Sequence, residues 1–248
     1  MHAIRHDRRA HNIISSCAAA ALALVAPIAP AGIAVAQDDA TPGDGTNDAI
    51  LVFDASGSMQ RLAYSGETRM SLARQAARTV VPPAAMVRRL GLLVYGPDGT
   101  GRCTNFALKV PPTPNAAQPI LSEIETTNTA GETPLTAAVE GAANVLSHTK
   151  RPATIVVVTD GDENCGGDPC GAGRRLARQG IATRIHVISF RIGTAPRFRA
   201  ACLAEETGGL FVPTDTLDEL TDALSRVLVC PRLSMATKTQ HQRQNVAR

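Results

Sequence analysis

The sequence predicts an α/β domain: a doubly wound, mostly parallel six-stranded sheet with helices on both faces and one short antiparallel edge strand. Three observations lead there. Strand-length apolar segments alternate with segments of helical periodicity. Several of those strands are apolar at every position, the mark of a strand covered on both sides. Polar clusters follow directly where strands end, the place where such sheets bind ligands.

The elements follow in order. Ala49 to Phe53 is a continuous apolar run that ends abruptly in Asp54-Ala55-Ser56-Gly57-Ser58-Met59. Arg69 to Val80 has helical apolar spacing, and Pro82-Pro83 is expected to stop it. Leu90 to Tyr95 is a second apolar strand, closed by Gly96-Pro97-Asp98-Gly99. Asn105 to Val110 alternates weakly and is expected to pair with it as an edge hairpin. Gln118 to Glu125 is a short helix. Pro134 to Leu146 is a helix with Thr133 as its N-cap and Pro134 at the first helical position. Thr154 to Thr159 is the most β-branched strand and runs into Asp160-Gly161-Asp162-Glu163-Asn164. Pro169 to Gln179 is a helix capped by Gly180, Ile181 to Phe190 a strand, and Ala195 to Thr207 a helix closed by Gly208-Gly209. Leu210 to Val212 is a short strand, and Leu217 to Val229 the last helix.

Outside residues 48–229 the composition changes. Arg5, Arg8 and Arg9 precede an Ala-rich apolar stretch, and Ala34-Val35-Ala36 has the form of a signal-peptidase site. Residues 1–36 are therefore expected to be a signal peptide cleaved after Ala36, giving a periplasmic or secreted protein without a stable membrane anchor. Residues 37–47 form a polar linker, and 230–248 a basic tail with no acid. The whole chain carries a formal charge of +3, and 37–230 a charge of −3. With aromatics at 3% and no Trp, neither the charge nor the stacking surface of a nucleic-acid binder is present.

The polar clusters carry the chemistry. Asp54, Ser56 and Ser58 follow the first strand, Thr133 precedes a helix, and Asp160 follows the 154–159 strand. Two carboxylates and three hydroxyls are hard oxygen donors, suited to Mg²⁺, with Mn²⁺ or Ca²⁺ as alternatives, rather than to zinc or copper. Asp162, Glu163 and Asp168 fit either a second cation site or rim, or a solvated loop whose acids favour a helix start.

DASGSM at 54–59, GETPL at 131–135 and VVTDGDEN at 157–164 resemble the metal-ion-dependent adhesion site of the von Willebrand factor A (vWA) domain family. The resemblance covers roughly residues 48–229. It implies a sheet of five parallel strands and one short antiparallel edge strand. It implies direct metal ligation by the hydroxyls of Ser56, Ser58 and Thr133, and water-mediated ligation by Asp54 and Asp160. It also implies a partner protein that completes the metal with an Asp or Glu. The loop Cys165 to Cys170 is similar to one in a secreted bacterial subgroup of that family.

Five cysteines follow the expected cleavage site, and an exported chain should pair four of them. Zinc at Cys165-x4-Cys170 is the alternative, without a second close pair to complete it. Position along the sheet favours Cys103–Cys165 and Cys170–Cys202 with Cys230 free, and leaves Cys165–Cys170 open as a competitor. Three functions fit. The first is a metal-dependent protein-binding module; the second is a subunit of an envelope assembly that uses the site internally. The third, a hydrolase, lacks its constellation. Ser56 would need a base, the body holds only His148 and His186, and no G-x-S-x-G elbow occurs.

Overall fold

The computed structural model describes residues 48–97, 103–190 and 198–229. The expected signal peptide, linker and basic tail, and Cys230, lie outside them.

Six strands form one sheet in the order β3-β2-β1-β4-β5-β6. They are β1 (Ala49–Asp54), β2 (Leu90–Tyr95), β3 (Phe106–Thr113), β4 (Ala153–Thr159), β5 (Thr183–Phe190) and β6 (Phe211–Thr214). All neighbours are parallel except β2 and β3. β1 and β2 are buried at every position, and β4 and β5 at all but one. That explains why their sequences do not alternate. β3 is largely exposed, as an edge strand should be, and its pairing with β2 is irregular around Leu92.

Helices α1 (Arg69–Val87), α2 (Ala117–Thr126) and α6 (Leu217–Leu228) cover one face. Helices α3 (Leu135–Val145), α4 (Pro169–Gln179) and α5 (Ala201–Thr207) cover the other. Within β1 the side chains divide by period two. Leu51 and Phe53 enter the first core, and Ile50 and Val52 the second.

Three expectations need correction. Pro82 and Pro83 do not stop α1, which continues to Val87 with both prolines inside. Val80, Val81, Ala84 and Ala85 are all buried, so the apolar stripe runs past the prolines. Core packing on both sides of the pair outweighs the lost hydrogen bonds. Thr133 is not the N-cap of α3; Pro134 holds that position and the helix begins at Leu135. Gly180 ends α4 with extended backbone, φ −81° and ψ 147°, rather than a left-handed cap. Its glycine answers to space: a Cβ there would lie 2.0 Å from Thr183 Oγ1. The left-handed cap appears at Gly208, φ 70°, after α5.

The chain moves outward from β1 to β2 and β3, then crosses back to place β4 on the other side of β1. The order therefore reverses between β1 and β4, and a crevice opens beyond their carboxyl ends.

Candidate functional site

Asp54 is the last residue of β1, and Asp160 directly follows β4. The register pairs Phe53 with Val158, so the next residues along, Asp54 and Thr159, lie side by side at the crevice. Asp54 is fully buried. Its Oδ1 accepts the Ser56 N–H at 2.7 Å, and its Oδ2 accepts the Thr159 hydroxyl at 2.7 Å and the Asp160 N–H at 3.4 Å. Tyr95, at the end of β2, donates its hydroxyl to Thr159 Oγ1 at 3.0 Å. Burial, and then the negative charge of Asp160, push the Asp54 carboxyl above its ordinary range against those hydrogen bonds.

The residues after Asp54 turn inward. The bond from Ser56 to Asp54 folds the chain back, and a 3₁₀ turn follows at Gly57–Gln60. Ser56 Oγ and Ser58 Oγ lie 3.0 Å apart, and Ser58 Oγ donates to Asp160 Oδ1 at 2.5 Å. Gly57 donates its N–H to Gly131 O at 2.9 Å, which draws the 131–135 loop against the first motif. Gly96 lies between the loops with φ 69°. A Cβ there would come within 2.6 Å of Glu132 O and 2.9 Å of Ser56 Cα, so a side chain would force the loops apart.

Thr133 is buried in the 131–135 loop. Its hydroxyl is not spent on capping α3. The N–H of Thr136 is satisfied instead by Glu163 Oε2 at 2.7 Å, and Thr133 N–H by Asn164 Oδ1 at 2.7 Å. Glu163 also accepts the Cys165 N–H at 2.7 Å. Glu163 thus sits as an acid at the start of α3. Asp162 accepts the backbone N–H of Glu163 at 3.0 Å and of Arg199 at 3.3 Å. Among the described residues no three His, Cys, Asp or Glu side chains converge. Asp168 lies at the start of α4, where the Gly171 N–H holds its carboxyl below the usual range. Arg174 and Arg175 pair on the surface with Glu206 and Glu140.

Asp54, Ser56, Ser58, Thr133 and Asp160 thus come from three loops to one place. A Cβ built on Gly161 would stand 3.5 Å from Ser58 Oγ and 3.8 Å from Thr133 Oγ1. Glycine there leaves a space bounded by two hydroxyls. A small hard cation fits that donor set: all oxygen, two carboxylates, neutral hydroxyls around a glycine.

Two disulfides frame the rim. Cys103–Cys165 ties the loop before β3 to the loop after β4, and Cys170–Cys202 ties α4 to α5. These pairings exclude Cys165–Cys170 and remove both thiolates a zinc site would need. Cys165 follows Asn164, so the first bond anchors the residue that holds Thr133.

Arg69 escaped the sequence reading. The first residue of α1, it places Nη1 2.5 Å from Asp160 Oδ2, with its side chain 14% exposed and that of Asp160 0%. Its one visible signal is a cation opening a helix whose first turn holds no acid, where the macrodipole disfavours it. Thr159 and Asn164 were missed because their bonding partners lie in other segments of the chain.

Residues 49–163 match the family model for the von Willebrand factor type A domain. The chain is 26% identical over 197 residues to YwmD, an uncharacterized protein of Bacillus subtilis (strain 168), covering 72% of this chain and 83% of that one. The vWF domain of the type V pili tip protein Mfa5 from Porphyromonas gingivalis has a similar fold. Its TM-score is 0.58 at 12% identity, over 75% of this chain and 95% of that one. Proximal thread matrix protein 1 from the mussel byssus, solved with a zinc-occupied MIDAS motif, matches with a TM-score of 0.53 at 16% identity. That match covers 75% of this chain, which spans 46% of the byssus protein. The sheet order, the helices on both faces and the family-model match over residues 49–163 agree: this chain is similar in sequence and fold to von Willebrand factor type A domains.

Proposed function

We propose that this domain is an exported binding module that recognises a carboxylate on a protein partner through a divalent cation, Mg²⁺ with Mn²⁺ or Ca²⁺ as alternatives. Ser56, Ser58 and Thr133 supply the direct hydroxyl ligands, and Asp54 and Asp160 act through water. Once bound, the cation supplies an electrophilic centre for an outside Asp or Glu.

The observation that carries this reading is the Ser58–Asp160 contact at 2.5 Å with Ser56 Oγ 3.0 Å away, three side chains from two distant segments in one cluster. The raised Asp54 carboxyl supports it: two neighbouring anions at a buried strand end are a cost that a bound cation removes. Neutral hydroxyls as direct ligands leave the metal undersupplied with negative charge, which favours an acidic residue from a partner. The disulfides support export, since such bonds persist in oxidising compartments. No helix among the described residues is long and apolar enough to cross a membrane. His148 and His186 engage the backbone of Ala143 and Leu210, so neither is hydrogen-bonded to Ser56 as a hydrolase would need.

The test is a calorimetric titration of Mg²⁺ and Mn²⁺ into wild type and Ser58→Ala, followed by binding of envelope proteins with and without EDTA. The proposal expects one site per chain, lost in Ser58→Ala, and partner binding that disappears with EDTA. Partner binding that survives chelation overturns it.

A further inference from the structure

Among the described residues Arg69 is the cation paired with the candidate site, and the local rules of helix formation do not explain it. It opens α1, whose first turn already holds a side-chain cap, Thr68 Oγ1 accepting the Ser71 N–H at 3.1 Å. A positive charge there opposes the helix dipole. What compensates it is Asp160, through the 2.5 Å contact to Oδ2. The other oxygen of Asp160 accepts from Ser58. Asp160 is therefore held between a guanidinium and a proposed ligand hydroxyl. The Nε of Arg69 is buried and has no hydrogen-bond partner among the described residues. The guanidinium is thus aimed at Asp160 by one nitrogen rather than locked in a full fork.

We infer that Arg69 is a built-in counter-ion that weakens the site's hold on a divalent metal and biases the loaded site toward an anionic ligand. The inference rests on the metal-site reading above. Its logic is charge. Asp54 and Asp160 with Arg69 carry a single net negative charge, so a divalent cation makes the cluster singly positive. Without Arg69 the same cation would leave the cluster neutral, with less attraction for a partner carboxylate. Arg69 also shares Asp160 with the metal, and two cations sharing one carboxylate repel. Arg69 is a positioning residue: it acts through Asp160.

The experiment is calorimetric titration of Mn²⁺ into wild type, Arg69→Gln and Arg69→Lys, each with and without excess acetate as the carboxylate probe, and each with its melting temperature in EDTA. Arg69→Gln is expected to bind Mn²⁺ about tenfold more tightly than wild type. It should also melt lower in EDTA, because Asp54 and Asp160 then face each other without a counter-ion. Acetate should tighten Mn²⁺ binding by wild type more than by Arg69→Gln. Arg69→Lys, which keeps the charge, should stay near wild type in both and guards against misfolding of the glutamine variant. Equal or weaker Mn²⁺ binding by Arg69→Gln, or tighter binding by Arg69→Lys, overturns the inference while leaving the metal site standing. A wild type that binds no Mn²⁺ takes down both.

Discussion

His186 in β5 and Asp54 in β1 are both buried ionisable residues of the sheet, and their surroundings favour different outcomes. Burial first, then the charges of Arg184 and Arg88, lower the His186 pKa from 6.5 to about 4. The neutral ring is also the form the fold uses, because Nδ1 accepts the Leu210 N–H at 3.2 Å where the chain enters β6. Electrostatics and hydrogen bonding agree. At Asp54 they conflict. Its bonds from Ser56, Thr159 and Asp160 call for the carboxylate, while burial and the Asp160 charge resist it. A group whose surroundings agree is a structural fixture. A group held in conflict at the topological switch point is one that a ligand can relieve.

The largest effect on the metal response should come from removing the conflict. Asp54→Asn is expected to abolish metal-induced stabilisation, which for wild type at a hundredfold excess over Kd is about 2.7 kcal/mol. The same change should raise the melting temperature in EDTA at neutral pH. The sign follows from the raised folded pKa: the favourable contribution of Asp54 is present below the ordinary carboxylate range and lost as pH rises through the folded value. Scanning calorimetry should show the advantage of Asp54→Asn shrinking as the pH is lowered. A variant that still gains stability from Mg²⁺ would break the comparison.

The largest effect on fold stability should come from the rim. Replacing Cys103 and Cys165 together by Ala opens a loop of sequence separation 62 and should cost about 4 kcal/mol in chemical denaturation. It should also weaken metal binding, since Asn164 loses its anchored neighbour. His186 comes next. Its folded pKa is lowered, so its contribution is complete above about 6.5 and is lost as the pH falls toward about 4, a change on the order of 3 kcal/mol. Denaturant midpoints across that window should fall more steeply for wild type than for His186→Gln, with the metal response unchanged at neutral pH. The smallest effect sharpens the contrast from outside. Thr216 and Glu219 form a capping box at the start of α6, so Thr216→Ala should cost about 1 kcal/mol and leave metal affinity untouched.

Strand positions were legible because burial on both faces writes itself as unbroken apolar runs, as in Ala49 to Phe53. Helix α4 was legible to its bounds because Pro169 and Gly180 mark its ends. The convergence of Asp54, Ser56, Ser58, Thr133 and Asp160 followed from their placement at strand and helix ends. What sequence could not carry was competition between distant groups. Pro82-Pro83 reads as a stop until the buried Ala84 and Ala85 are seen. Thr133 reads as a cap until Glu163, from another loop, is found doing that work at Thr136. Arg69 reads only as the start of a helix until Asp160 stands beside it. In each case the deciding partner lies many residues away.

The most direct measurement is the anomalous difference map of a crystal soaked in manganese. The account predicts one peak per chain in the space beside Gly161, about 2.1 Å from Ser56 Oγ and Ser58 Oγ, with Thr133, Asp54 and Asp160 around it. A fully soaked crystal with no peak there, or with manganese bound only elsewhere, would contradict it.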